Sequence, residues 1–277
     1  MATQLGDAEV QVWTSVPETL MDAGARRRCL ALLSEDEQAR MNRFRFERDR
    51  HLYLVAHALV RRVLSRYVDV APDRWRFVTN QYGRPDIAPG LSPTPLRFNL
   101  SHTRGLVAVA VTLGRDLGVD VEHMFPRSFS LDVAEHFFAP REVAALMALP
   151  EHARRDRFFA YWTLKESYIK ARGMGLALPL DGFAFHLDRA PEHTDADADA
   201  DADPVVLGDA AAASVPNELD SHLISLTVEP ALADDGRRWW FHQRVVTPEH
   251  RLAVAVGRDI GESIRCRIES LSLDGVP

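Results

Sequence analysis

Apolar positions recur at helical spacing in two stretches of the chain and alternate with polar ones in several others. Leu52, Val55, Leu59 and Val63 fall on one face of a helix expected between Glu47 and about Tyr67. FFAYWTLKESYIKA at 158–171 predicts a second long helix, running to Arg172 and closed by Gly173, while Pro140 stands where a first helical turn tolerates proline. Segments 75–79, 96–100, 106–112 and 117–122 read as short strands. Gly105 and the Gly114–Arg115–Asp116 turn would join the last three into an antiparallel meander. Further on, Phe183, Phe185 and Leu187 share a strand face, and HLISLTVE, WWFHQRVV and RLAVAVG supply more strands.

The pattern comes twice. YLVAHALVRRVLSR at 53–66 lines up with 158–171 at an offset of 105, and VAVAV at 107–111 lines up with LAVAV at 252–256 at an offset of 145. The extra 40 residues are accounted for by 190–221, which contains DADADADAD at 195–203 and an alanine run at 210–213. That composition buries too little apolar area to offset its ordering entropy, so a disordered acidic surface loop is expected there.

Two acidic segments carry candidate chemistry. In GVDVE at 118–122, a strand puts Asp120 and Glu122 on one face and Val119 and Val121 on the other. Two carboxylates about 5 Å apart repel by roughly 3 kcal/mol at an effective dielectric near 20, so a cation is expected beside them. In WTLKESYIK at 162–170, Trp162, Glu166 and Lys170 are spaced by four and share a helical line. Three hard oxygen ligands with a lysine alongside suit Mg²⁺ holding a phosphate, with Mn²⁺ able to replace it. Each segment alone also fits a plainer account, as a solvated strand face or a helical salt bridge worth about 0.2–0.5 kcal/mol. FNLSHT at 98–103 shifts the balance, because Ser101, His102 and Thr103 add groups that contact phosphate oxygens.

The charge balance of the 277 residues, 33 basic against 40 acidic for a net −7, provides no global field for nucleic acid. Residues 26–66 nevertheless hold eleven arginines against five acids, a local excess of six. A polyanion site, a nucleic-acid face and a solvated helix surface would each account for it. Cys29 and Cys266 are far apart without a CxxC spacing, no run of 18 apolar residues occurs, and the N-terminus lacks a signal-peptide pattern. A reduced, cytoplasmic protein without a membrane segment is expected. Walker, HExxH and GxSxG motifs are missing, and the GxGxxL run at Gly173 follows a helix where a dinucleotide site needs a strand.

FNLSHT, GVDVE and WTLKESYIKARGMGL, in this order, resemble the three motifs of the 4'-phosphopantetheinyl transferases of the surfactin-synthetase-activating type; YGRP at 82–85 and FFAPRE at 137–142 resemble two further segments of that family. The resemblance covers residues 34–188. It implies an α/β fold of α+β type with two pseudo-twofold-related halves, 1–115 and 116–277, each a small, mostly antiparallel sheet packed on a long helix. It also implies transfer of the phosphopantetheine arm of coenzyme A to a serine of an apo acyl or peptidyl carrier protein, as in polyketide and nonribosomal peptide biosynthesis, releasing adenosine 3',5'-bisphosphate. A monomer is expected.

Under that resemblance Asp120, Glu122 and Glu166 hold Mg²⁺, and Lys170 meets the diphosphate and the leaving oxygen. Arg84, Ser101 and His102 stand at coenzyme A-contacting positions. Arg40 matches the second of two basic residues at the 3'-phosphate, and Glu37 stands in place of the first. Glu166, through a water, and Glu142 are both candidates for the base that deprotonates the serine. A Mg²⁺-dependent phosphohydrolase would use the same carboxylates with water as acceptor, and an RNA-binding protein would use the arginine-rich helix but leave the carboxylates unexplained.

Overall fold

The computed structural model describes residues 3–20, 22–126, 130–187, 218–219 and 221–274. The acidic loop expected at 190–221 lies, apart from 218–219 and 221, outside the described residues.

The first half contains β1 (Glu9–Ser15), α1 (Ala23–Leu32), α2 (Glu35–Asn42), α3 (Glu47–Leu64), a short hairpin of β2 (Phe77–Thr79) and β3 (Pro85–Ile87), and a long one of β4 (Leu96–Thr103) and β5 (Leu106–Leu113). After it come β6 (Leu117–His123), α4 (Asp132–Phe137), α5 (Pro140–Met147), α6 (Glu151–Arg172), β7 (Phe183–His186), β8 (Glu218–Leu219), β9 (Ser225–Val228), β10 (Trp239–Thr247), β11 (His250–Gly257) and β12 (Arg265–Ser270). Two four-stranded sheets, β12-β1-β5-β4 and β6-β11-β10-β8, repeat one plan. In each, an opening strand leads into helices and a later hairpin returns to pair with it antiparallel, β5 on β1 and β11 on β6.

Strand alternation stacks the layers. Val107, Val109 and Val111 of β5 pack in the core of α3, while Leu106, Ala108 and Ala110 meet β6 and β11. In the second sheet Ala253 and Ala255 face the core of α6, and Leu252, Val254 and Val256 face inward. The order is therefore α3, first sheet, second sheet, α6. Strands covered on both faces read as continuous apolar runs, which is why VAVAV and LAVAV lack polar partners.

Three features depart from expectation. β6 does not complete a meander with β4 and β5. The turn at 114–116 carries it into the second sheet, where it pairs with β11 and buries Leu117, Val119 and Val121 between the sheets. The stretch from Pro140 holds two helices, because Pro150 caps α6 and its ring excludes the residue from a helix interior. Finally, β12 pairs parallel with β1, so the last strand returns to the first sheet.

Candidate active site at the junction of the two halves

With Leu117, Val119 and Val121 turned inward, Gly118, Asp120 and Glu122 share the opposite face of β6. Gly118 sets the distance to α6. A Cβ there would lie 1.9 Å from the Ser167 carbonyl oxygen and 2.5 Å from the Ala171 nitrogen, so only glycine lets strand and helix touch. The two run in opposite directions, which matches the carboxylates to the helical line. Lys170 Nζ donates to Asp120 Oδ1 at 2.6 Å, and the Trp162 indole N–H donates to Glu122 Oε1 at 3.3 Å.

Ser101 joins this contact from the other half. Its hydroxyl donates to Asp120 Oδ1 at 3.0 Å and accepts from Lys170 Nζ at 2.9 Å and from the Val121 N–H at 3.2 Å. Asn99, two residues earlier on the same face of β4, accepts from the Val119 N–H at 2.9 Å. The turn between β2 and β3 holds the end of α6. Asn80 donates to the Gly173 carbonyl at 2.8 Å, and Arg84 donates to the Ala171 and Leu117 carbonyls, both at 3.2 Å. Gly173 closes the helix at φ 64°, where a Cβ would lie 2.9 Å from Arg84 Cδ. A cleft of ≈320 Å³ opens here, lined by Tyr82, Arg84, Asn99, Glu166, Lys170 and Gly173 among others. Of the three carboxylates Glu166 alone is in its lining, and two larger recesses, ≈960 and ≈840 Å³, include none of them.

The carboxylates feel one another. Burial, and then the charge of Asp120, push Glu122 up to about 7, and the same two causes raise Glu166. Asp120 Oδ2 is buried with no hydrogen-bond partner among the described residues. As they stand, no three His, Cys, Asp or Glu side chains among the described residues lie close enough to hold a metal ion. The ammonium of Lys170 occupies one Asp120 oxygen. An orphaned buried oxygen beside two carboxyls that resist ionisation is nonetheless a donor set a divalent cation fits, since oxygen ligands and excess negative charge are what Mg²⁺ requires.

The other predicted residues divide. His102 follows Ser101 on β4, and desolvation of its ring, then the charge of Lys170, lower its pKa and favour the neutral imidazole. Arg40 is exposed on the last turn of α2 and does not line the cleft. Glu142 is 1% exposed and its oxygens are already used. One accepts from the Phe185 N–H at 2.8 Å, and the other from the Ala139 N–H at 3.0 Å while pairing with buried Lys165 at 2.7 Å. Glu37 completes a capping box with Ser34 and accepts from Arg61 at 2.6 Å, with the His57 ring 3.0 Å away. Asn99 and Asn80 belong to the site without being among the residues expected there; the period-two spacing of Asn99 with Ser101 is the one sequence signal for the first.

Comparison with known proteins bears on this arrangement. Residues 23–113 match the model of the N-terminal 4'-phosphopantetheinyl transferase domain, and residues 116–213 match that of the 4'-phosphopantetheinyl transferase superfamily. The chain is 36% identical over 160 residues to the 4'-phosphopantetheinyl transferase Sfp of Bacillus subtilis, covering 58% of this chain and 69% of that protein. The chain belongs to the 4'-phosphopantetheinyl transferase superfamily. A second Bacillus subtilis 4'-phosphopantetheinyl transferase is 34% identical over 167 residues, 60% of this chain and 72% of its own length. The 4'-phosphopantetheinyl transferase HetI of Nostoc is 39% identical over 147 residues, 53% of this chain and 62% of its own length. The boundary between the two family models falls at the β5–β6 turn, where the chain passes from the first sheet to the second. Among the described residues no helix is long and apolar enough to cross a membrane.

Proposed function

We propose that this chain transfers the 4'-phosphopantetheine group of coenzyme A to a serine of an apo carrier protein, at a site formed where halves 1–115 and 116–277 meet. The observation that carries the reading is the contact of Lys170, which lines the cleft, with Asp120 and Ser101 behind it, beside an Asp120 oxygen unpartnered among the described residues.

Asp120, Glu122 and Glu166 are the residues that would hold Mg²⁺, which when bound neutralises diphosphate charge and polarises the phosphorus under attack. Lys170 is poised to turn from Asp120 to a phosphate oxygen and stabilise the charge growing on the leaving bisphosphate. Ser101 and a neutral His102 can contact phosphate oxygens. Arg84 has spent one donor on each of two backbone carbonyls, so its role is first to hold α6 and β6 together, with the rest of the guanidinium available to the ligand. Glu166 suits the base better than Glu142. It lines the cleft, and burial and the charge of Asp120 raise its pKa and so its basicity, whereas Glu142 is buried in an ion pair.

The test is to incubate the protein with coenzyme A, Mg²⁺ and a panel of apo carrier proteins and to measure intact masses. Addition of a phosphopantetheine mass to at least one carrier, abolished by chelation and restored by Mg²⁺ or Mn²⁺, is expected. Undiminished transfer after exhaustive chelation would remove the metal role, and absence of transfer to every carrier would remove the activity.

A further inference from the structure

We infer that Asn99 is a positioning residue for the carboxylate strand: its side-chain oxygen stands in for the carbonyl of a neighbouring strand and fixes where Asp120 and Glu122 meet α6. β6 is an edge strand, paired with β11 on one side only. On its other edge the Val119 and Val121 N–H groups point toward β4 and need acceptors, because a buried amide left unpaired costs about as much as a lost hydrogen bond. A backbone ladder with β4 would answer that need and bring the two strands to about 4.8 Å, closing the gap between the halves. Side chains answer it instead. Asn99 Oδ1 takes the Val119 N–H at 2.9 Å and Ser101 Oγ takes that of Val121 at 3.2 Å, so the halves are joined while a cleft stays open beside them.

The two acceptors are not equivalent. Ser101 divides its hydroxyl among the Val121 N–H, Asp120 and Lys170, so a ligand that draws Lys170 away also disturbs it. Asn99 is 5% exposed and its oxygen serves the Val119 N–H, outside that charged network. Val119 directly precedes Asp120. The register Val119 to Val254 and Asp120 to Ala253 fixes the strand on its other edge, and bare Gly118 fixes its approach to α6. Asn99 supplies the third restraint, and with Ser101 it ties β6 to β4 of the first sheet through an acceptor that Lys170 does not share.

The inference rests on the reading that these carboxylates hold a divalent cation. Metal sites tolerate ligand displacements of only about 0.5 Å, and loss of a group that orients a ligand typically costs about 10–100-fold in affinity or activity. The experiment measures Mn²⁺ binding by electron paramagnetic resonance, hydrogen exchange at the Val119 amide, and transfer kinetics. It compares the wild-type chain with Asn99→Ala, which removes the acceptor, and Asn99→Asp, which keeps an oxygen in the same place. Asn99→Ala should expose the Val119 amide, weaken Mn²⁺ about 10–100-fold and lower kcat similarly, with KM for coenzyme A within about threefold. Asn99→Asp should keep Mn²⁺ affinity within about threefold. A folded Asn99→Ala chain with a fast-exchanging Val119 amide and wild-type Mn²⁺ affinity overturns the inference. If the alanine variant does not fold, a loss of more than tenfold in Asn99→Asp overturns it instead. A wild-type chain that binds no Mn²⁺ fails earlier, at the carboxylate reading, and takes the inference with it.

Discussion

Nζ of Lys170 lies 2.6 Å from Oδ1 of Asp120, which makes a helix lysine the counter-charge of a carboxylate only 3% exposed. On the proposed reading, a ligand that took this ammonium away would leave Asp120 in need of another cation, so binding of a polyphosphate and binding of a metal would be linked at one atom. Lys170→Ala should therefore bind Mn²⁺ more tightly than the wild type while kcat falls about 100–1000-fold, the usual loss when a donor to developing oxyanion charge is removed. Wild-type turnover in this variant would reduce the pair to a structural salt bridge.

Glu122 gives a pH signature with a definite sign. Its folded value of about 7 lies above its ordinary 4.5, because burial and the charge of Asp120 disfavour the carboxylate. Below about pH 4.5 the group is protonated folded or unfolded and costs nothing. Between 4.5 and 7 the unfolded chain loses the proton first, so this group lowers stability as pH rises and its full cost is present above 7. Glu122→Gln should flatten that decline in melting temperature against pH. Because a metal must displace the proton, Mn²⁺ affinity of the wild type should climb through pH 7 and then level off. An affinity independent of pH from 5 to 8 would contradict both expectations.

Glu142 and Lys165 are 1% and 0% exposed and 2.7 Å apart, so removing one strands the other's charge. Glu142→Ala should cost about 3–5 kcal/mol in denaturant titration. Turnover per folded molecule should stay near the wild-type rate in conditions where the variant remains folded. A kcat loss of about 100-fold without a stability loss would instead restore Glu142 as the serine's base.

Much of this arrangement was legible in the chain. Alternation in GVDVE placed Asp120 and Glu122 together, and the four-residue spacing of Trp162, Glu166 and Lys170 gave the facing line, because each depends only on the period of its own element. What escaped depends on partners distant in sequence. The meander failed because β6 has two apolar neighbours available, and local turn chemistry cannot say that its valines pack between the sheets. β1 mixes Val10, Val12 and Trp13 with the polar Glu9, Gln11 and Thr14, and its partners are Val107–Val111 and Arg265–Ser270, far along the chain. Glu142 stood in a suggestive motif, but its commitment to Lys165 and the Phe185 N–H is a tertiary fact.

Glu37 stands where the resemblance leads one to expect a basic residue, and the structure gives it other work. Burial opposes its ionisation, but hydrogen bonds from His57, the Ser34 N–H and Arg61 hold its carboxyl down to about 2. Arg61 is 1% exposed, so Glu37→Lys would set two cations against each other in the core of the α2–α3 contact. The substitution should cost at least about 3 kcal/mol of stability and gain no coenzyme A affinity. Because the folded value is depressed, the contribution of Glu37 is present above its ordinary 4.5 and fades as pH falls toward 2. Tighter coenzyme A binding by a stable Glu37→Lys chain would show that the position faces the ligand after all.

Gly118 tests whether closeness of β6 and α6, rather than the carboxylates alone, makes the site. An added methyl carbon would sit 1.9 Å from the Ser167 carbonyl oxygen, which belongs to helix backbone and cannot turn aside. Gly118→Ala must push α6 away from the strand by an ångström or more, at a cost of about 1–3 kcal/mol for overpacking. The same displacement stretches the Lys170–Asp120 bond from 2.6 Å beyond hydrogen-bonding reach and carries Glu166 with it. Activity should therefore fall much further than stability. Misplacement by about 1 Å costs on the order of 100-fold in rate. Thermal unfolding, Mn²⁺ affinity and kcat measured together on this variant separate the two effects. A chain that loses stability but keeps kcat and metal affinity would show that the contact of β6 with α6 serves packing alone.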